Sequence, residues 1–156
     1  MELENALVIA NEVVDKVKPF CKKVMIAGSI RRKRRHVNDV DIVLIPGDAW
    51  HLYEVIQKLK ESQIAAGSKI ERFIYKSLNI DLYYATSTNW ATLLLIRTGS
   101  KENNRRLCGI AKAKDWHLFA DGMGLMDENN DRIAGDTEES IYEALGLPYQ
   151  EPEERN

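Results

Sequence analysis

The chain has few cysteines, no long apolar run and no surplus of one charge. Cys21 and Cys108 are its two cysteines, and neither has zinc or redox spacing around it. That excludes a disulfide framework and a CxxC-type module, and it leaves the expectation of reduced thiols in a cytoplasmic or other DNA-containing compartment. No apolar stretch is long enough to cross a membrane and no signal peptide is visible, so neither secretion nor a membrane partner is expected. Repeats and low-complexity segments are absent. The formal net charge of −2 does not by itself announce a partner of either sign.

What is present is a 156-residue chain that is 44% hydrophobic, enough for one domain or two small subdomains with a real core. Its charge is uneven. Cations gather at 31–35 and again at Lys101, Arg105, Arg106, Lys112 and Lys114, whereas acids gather after residue 126. A chain that grips phosphates with one face can be near neutral overall.

Periodicity predicts a helix over 3–18, with Leu3, Leu7, Val8, Val14 and Val17 at helical spacing and Pro19 after its end. Strands are predicted at 23–27 and 39–45, then a turn at Pro46-Gly47-Asp48 and an amphipathic helix at 49–61. Two further strands follow at 70–76 and 78–85, and a helix at 88–96. Thr98-Gly99-Ser100 breaks the chain before a helix at 101–113. A strand-like HLFA at 117–120, a turn-rich polar section and a last helix at 137–145 complete the pattern. The class expected is α+β, with helices packed on a small mixed or antiparallel sheet.

The stretch GSIRRKRRHVNDVDIVLIP, residues 28–46, carries the chemistry. In an extended chain residues i and i+2 share a face, so Asp39 and Asp41 project together while Val40, Ile42 and Leu44 fill the other side. Two carboxylates this close repel unless a cation lies between them, and hard cations such as Mg²⁺ take one or two carboxylates plus phosphate oxygens. By itself the pair reads either as a metal site or as two ordinary surface acids. Upstream, Gly28 allows close backbone approach, Ser29 adds a hydroxyl, and Arg31 and Arg32 supply planar forks of donors suited to phosphate. The alternatives for these are an ordinary tight turn and a solvated basic patch. Five adjacent cations, Arg31 to Arg35, repel one another without an anionic partner.

The spacing G-S-x-R-R, six residues, D-x-D resembles the active-site signature of the family X DNA polymerases, the relatives of DNA polymerase beta. NIDLYYAT (79–86) adds a third aspartate, Asp81. RTGSKENNRRL (97–107) is similar to the family's T-G-S turn and following helix, and IYEALGLPYQEPEERN (141–156) to the end of the bacterial thumb. The first signature is shared with the wider nucleotidyltransferase superfamily, but the ordered set of four segments is much more specific. The resemblance implies a palm over 1–98 and a thumb over 99–156, without the family's lyase, fingers and phosphoesterase domains. It implies that Asp39, Asp41 and Asp81 hold two Mg²⁺ ions, for which Mn²⁺ substitutes. Gly28, Ser29, Arg32 and the backbone of Asn38 would bind the outer phosphates of a deoxynucleoside triphosphate. Gly99 and Ser100 would lie under its sugar and Asn104 at its base, with Lys101, Arg105 and Arg106 on DNA. Departures from the pattern are Ile96-Arg97 where the family has an aromatic pair before T-G-S, and Cys108 where it has an arginine.

The function so implied is distributive, gap-filling DNA-directed DNA synthesis on gapped or primer–template duplex, performed by a monomer. The competing readings are a nucleotidyltransferase that works without a template or on a small molecule or protein, and an inactive DNA-binding module.

Overall fold

The computed structural model describes residues 1–156. Leu3–Val17 forms α1, and Cys21–Ile26 forms β1. A four-residue helix, α2 (Gly28–Arg31), leads through a basic loop into β2 (Asp39–Pro46), followed by α3 (Ala49–Leu59). Three strands come next: β3 (Ser62–Ala66), β4 (Ile70–Tyr75) and β5 (Leu78–Tyr84). Helices α4 (Trp90–Thr98) and α5 (Lys101–Ala113) then lead into β6 (His117–Phe119), β7 (Gly124–Met126), β8 (Arg132–Ala134) and α6 (Glu138–Ala144).

The first five strands make one mixed sheet in the order β1-β2-β5-β4-β3, in which β2 and β5 are parallel and the other pairs antiparallel. Both of its faces are covered. On one, Val40, Ile42 and Leu44 of β2 meet Ala6, Ala10 and Val13 of α1 and Leu52 and Ile56 of α3 in a core that also takes in Phe73 and Ile80. On the other, Val43, Ile45, Tyr83 and Ala85 pack against Leu93 and Leu94 of α4. The odd-numbered face of β2 is therefore apolar at one end and carboxylate at the other. A second core of Leu95, Ile96, Leu107, Ala111, Leu118, Leu125, Ile141 and Tyr142 holds the C-terminal part around the three-stranded sheet β6-β7-β8.

The α+β expectation and the main helices and strands agree with this architecture. Two differences stand out. Ser62–Ala66, not expected as a strand, adds β3 at the sheet edge with all five residues exposed. The turn-rich section after residue 120 contains β7 and β8, three residues each, too short for alternation to register in the sequence.

Candidate active site

The parallel register of β2 and β5 sets Asp41 directly beside Asp81, with Asp39 beside Asn79. Neighbouring strands lie about 4.8 Å apart, so the Asp41 and Asp81 carboxylates issue side by side from the sheet. Tyr83 follows on the same face of β5. Its hydroxyl lies 3.3 Å from Asp41 Oδ1 and 3.4 Å from Asp81 Oδ2. Arg72 of β4, the register partner of Asp81, places Nε 3.4 Å from Asp81 Oδ1. Burial, the charge of Asp81 and that of Asp39 push the Asp41 carboxyl up to about 6 from an ordinary 3.8, against a hydrogen bond from Tyr83 and the nearby charge of Arg97. Burial also raises Asp81, against the pull of Arg72. Asp39 is more exposed and accepts from Asn79 Nδ2 at 3.3 Å. No three acidic, imidazole or thiol side chains converge on one point in this arrangement. Asp41 and Asp81 are brought together, and Asp39 stands on the same face, turned toward Asn79.

In front of the aspartates of β2 lies a cleft of about 630 Å³ with no hydrophobic residue in its lining. Asp39 and Asp41 form one side. Gly28, Ser29 and Asn38 form another, and Arg32, Arg34, Arg35, His36 and Arg97 supply the cations. Gly28 has φ +60°, and a Cβ built there would overlap Asp41 Oδ2, so the turn and the carboxylate require glycine at this position. Gly28→Ala is expected to displace the Asp41 carboxylate. For a carboxylate that works in catalysis, a misplacement of about 1 Å would lower turnover on the order of 100-fold, measured alongside a melting curve that stays cooperative.

The five adjacent cations have separate destinations. Arg31 points away from the cleft and donates to both oxygens of Glu138, at 2.9 and 2.7 Å, and to Thr98 Oγ1 at 2.9 Å. Arg32 donates to the Thr98 carbonyl while its Nε is buried without a partner. Lys33 lies 3.7 Å from Glu153 and Arg35 lies 3.6 Å from Glu2, both in exposed pairs. Arg34 lines the cleft.

At the thumb end, the Gly99-Ser100 peptide is cis and Gly99 has φ +72°. Ser100 caps α5, accepting from the Asn103 N–H at 3.2 Å. Asn104 turns back to donate to the Ile96 carbonyl at 2.8 Å, which leaves its buried Oδ1 without a partner. Lys101, Arg105 and Arg106 are exposed on α5. Arg106 is held by Asn103 Oδ1 at 3.2 Å and by the Gln150 side chain.

Two parts of the site escaped the sequence reading. Tyr83 had a signal, because it lies two residues after Asp81 in a strand and must share its face. The ion pairs that join Arg31, Glu138 and Arg155 had none, since Glu138 lies 107 positions from Arg31 and 17 from Arg155, with no local pattern to link them.

The family model described as DNA polymerase beta thumb matches residues 93–156. Along 96% of its length the chain is 32% identical to the DNA polymerase/3′-5′ exonuclease PolX of Bacillus subtilis, of which it covers 27%. It is 34% identical to the DNA nucleotidylexotransferase of Xenopus laevis over 107 residues, 65% of this chain and 21% of that one. The repair DNA polymerase X of African swine fever virus (isolate Pig/Kenya/KEN-50/1950) is 25% identical over 89% of this chain and 84% of the viral one. The chain thus spans about a quarter of the bacterial and amphibian relatives. Mixed sheet, polar cleft and appended thumb together define a nucleotidyltransferase palm joined to a polymerase thumb. The chain belongs to family X of the DNA polymerases.

Proposed function

We propose that the chain is a repair-type DNA-directed DNA polymerase that adds deoxynucleotides to a primer 3′-hydroxyl and releases pyrophosphate. The observation that carries this reading is the pairing of Asp41 with Asp81 in adjacent parallel strands, beside a cleft lined by Ser29, Asn38 and several arginines. Carboxylate oxygens suit Mg²⁺ or Mn²⁺, and Asp41 and Asp81 stand side by side with Asp39 on the same face beside a wholly polar cleft, so these residues fit such ions. Bound there, the ions would supply a more acidic primer hydroxyl and charge neutralisation of the triphosphate.

In this reading Asp39 and Asp41 would hold both ions, and Asp81 would join them on the one that makes the primer hydroxyl more acidic. Ser29, Arg32 and the backbone N–H of Asn38 hold the outer phosphates, and the Gly28 turn brings them close. Gly99 and Ser100 lie beneath the sugar. Asn104 would release the Ile96 carbonyl to reach the base, which gives its unpaired Oδ1 a partner as well. Lys101, Arg105 and Arg106 meet DNA phosphates and template. Lys101, Arg105 and Arg106 neutralise few phosphates, so DNA binding is weak, its salt dependence is shallow, and synthesis on gapped DNA is distributive.

A second reading, untemplated addition, is favoured by one observation, the 34% identity to a DNA nucleotidylexotransferase. Incorporation of each of the four nucleotides opposite each template base in a one-nucleotide gap, with Mg²⁺ or Mn²⁺, separates the two. Template-matched addition is expected. Addition that ignores the template base would establish the second reading, and no addition with either metal by folded protein would overturn both.

A further inference from the structure

Among the cleft cations without a role in the reading above, Arg97 is the one that touches the aspartates' own surroundings. Arg97, near the end of α4, lays its guanidinium on the ring of Tyr83, with Cζ 4.3 Å from the ring centroid. That ring is 5% exposed, and its hydroxyl lies between Asp41 Oδ1 and Asp81 Oδ2. Guanidinium, ring and the two carboxylates therefore form one contiguous stack from helix to strand. A cation over an aromatic face is attracted by the ring's negative quadrupole, and burial strengthens the attraction. Arg97 Nε is buried without an acceptor, so the aromatic ring is the contact that fixes this side chain at the back of the cleft. Its charge acts on both carboxylates and lowers each of them against the effect of burial.

We propose that Arg97, seated on Tyr83, is a positioning residue that serves as a resident counter-cation on the Asp41 side of the Asp41–Asp81 pair, across from Arg72 at Asp81. It keeps the two carboxylates adjacent while no divalent ion is bound. It also opposes entry of a divalent ion on its own, because a fixed positive charge near the pair repels it. A triphosphate on the Ser29 and Arg32 side of the cleft restores negative charge, so the ion is taken up together with the nucleotide rather than before it. Tyr83 contributes twice, through its ring to Arg97 and through its hydroxyl to the carboxylates. The inference rests on the reading of Asp41 and Asp81 as metal ligands.

The test is Mn²⁺ binding, followed by the electron paramagnetic resonance of the free ion, with Mn²⁺ alone and with a non-hydrolysable deoxynucleoside triphosphate. Wild type, Arg97→Met, Arg97→Gln, Arg97→Lys and Asp41→Asn are compared, each with a melting curve. Removing the charge in Arg97→Met or Arg97→Gln is expected to tighten binding of Mn²⁺ alone roughly tenfold. Arg97→Lys, which keeps the charge, should stay within about twofold of wild type, as a purely structural role would not predict. With nucleotide present the advantage of the neutral variants should shrink. Mn²⁺ binding that Asp41→Asn abolishes but that folded Arg97→Met and Arg97→Gln leave unchanged or weaken would overturn this inference alone. Binding that Asp41→Asn leaves intact, or no binding by wild type in either condition, would overturn the metal-site reading and this inference with it.

Discussion

Asp41→Asn is expected to lower nucleotide incorporation about 10³-fold or more while making the metal-free protein more stable. The loss follows from what the carboxylate would do. Metal-borne charge stabilisation in phosphoryl transfer is worth several kcal/mol, and about 4 kcal/mol corresponds to 10³-fold at 1.36 kcal/mol per decade. Asparagine keeps the shape and one oxygen but not the charge. The gain in stability comes from the same geometry. Asp41 is half-buried beside Asp81, and its pKa of about 6 against an ordinary 3.8 means that the fold disfavours its charged form. For an acid raised in the folded state, the cost is absent below the unfolded pKa, grows as pH rises toward 6, and is complete above it. At 1.36 kcal/mol per pH unit the cost is at most about 3 kcal/mol. Melting in EDTA should therefore favour Asp41→Asn at pH 8, with an advantage that disappears as pH falls from 6 toward 4. A variant less stable than wild type at pH 8 would show that this carboxylate is not strained, and one that still incorporates nucleotide would show that it is not required.

The parts of this site that the sequence made legible share a physical reason. Alternation along DVDIVLIP put two acids on one face because the strand is central, with Val40, Ile42 and Leu44 fully buried on the other. The Thr98-Gly99-Ser100 break was legible because glycine and an N-capping serine are strong local signals, and the structure has that cap. β3 was not legible, since an exposed edge strand reading SQIAA has no buried face to create a pattern. The roles of the adjacent arginines were not legible either. Five neighbouring cations look equivalent in a sequence, and what separates Arg31 from Arg32 is a carboxylate 107 positions away. Nor does sequence indicate that Arg97 would lie on Tyr83, because that contact depends on how α4 crosses the sheet.

That distant carboxylate sets the second large effect. Glu138→Ala is expected to destabilise the protein by about 3–5 kcal/mol in urea unfolding, the usual result of removing one partner from a buried ionic network. Glu138 is 8% exposed and accepts from Arg31 at 2.7 and 2.9 Å and from Arg155 Nη1 at 2.7 Å. Arg155 is wholly buried, with Nη2 on the Tyr149 hydroxyl and Nε on the Gln150 carbonyl, so without Glu138 its charge has no counter-ion. The Arg155 carbonyl also accepts from the Ser100 N–H at 3.2 Å. One carboxylate thus ties together the short phosphate-side helix, the turn at 98–100 and the C-terminal segment. Burial alone would raise the Glu138 carboxyl, but the hydrogen bonds and charges of Arg31 and Arg155 outweigh it and hold the pKa below 4.5. For an acid lowered in the folded state, the stabilisation is complete above the unfolded pKa and is lost as pH falls through the folded one. Wild type should therefore exceed Glu138→Gln in stability at pH 7, and the difference should close in acid below pH 4.5. A difference that persists unchanged there would assign the effect to packing rather than charge. Because Arg31 sits on the same four-residue helix as Ser29, any folded Glu138→Ala should also lose nucleotide affinity. If that affinity were unchanged, the helix would owe its position to the palm sheet alone.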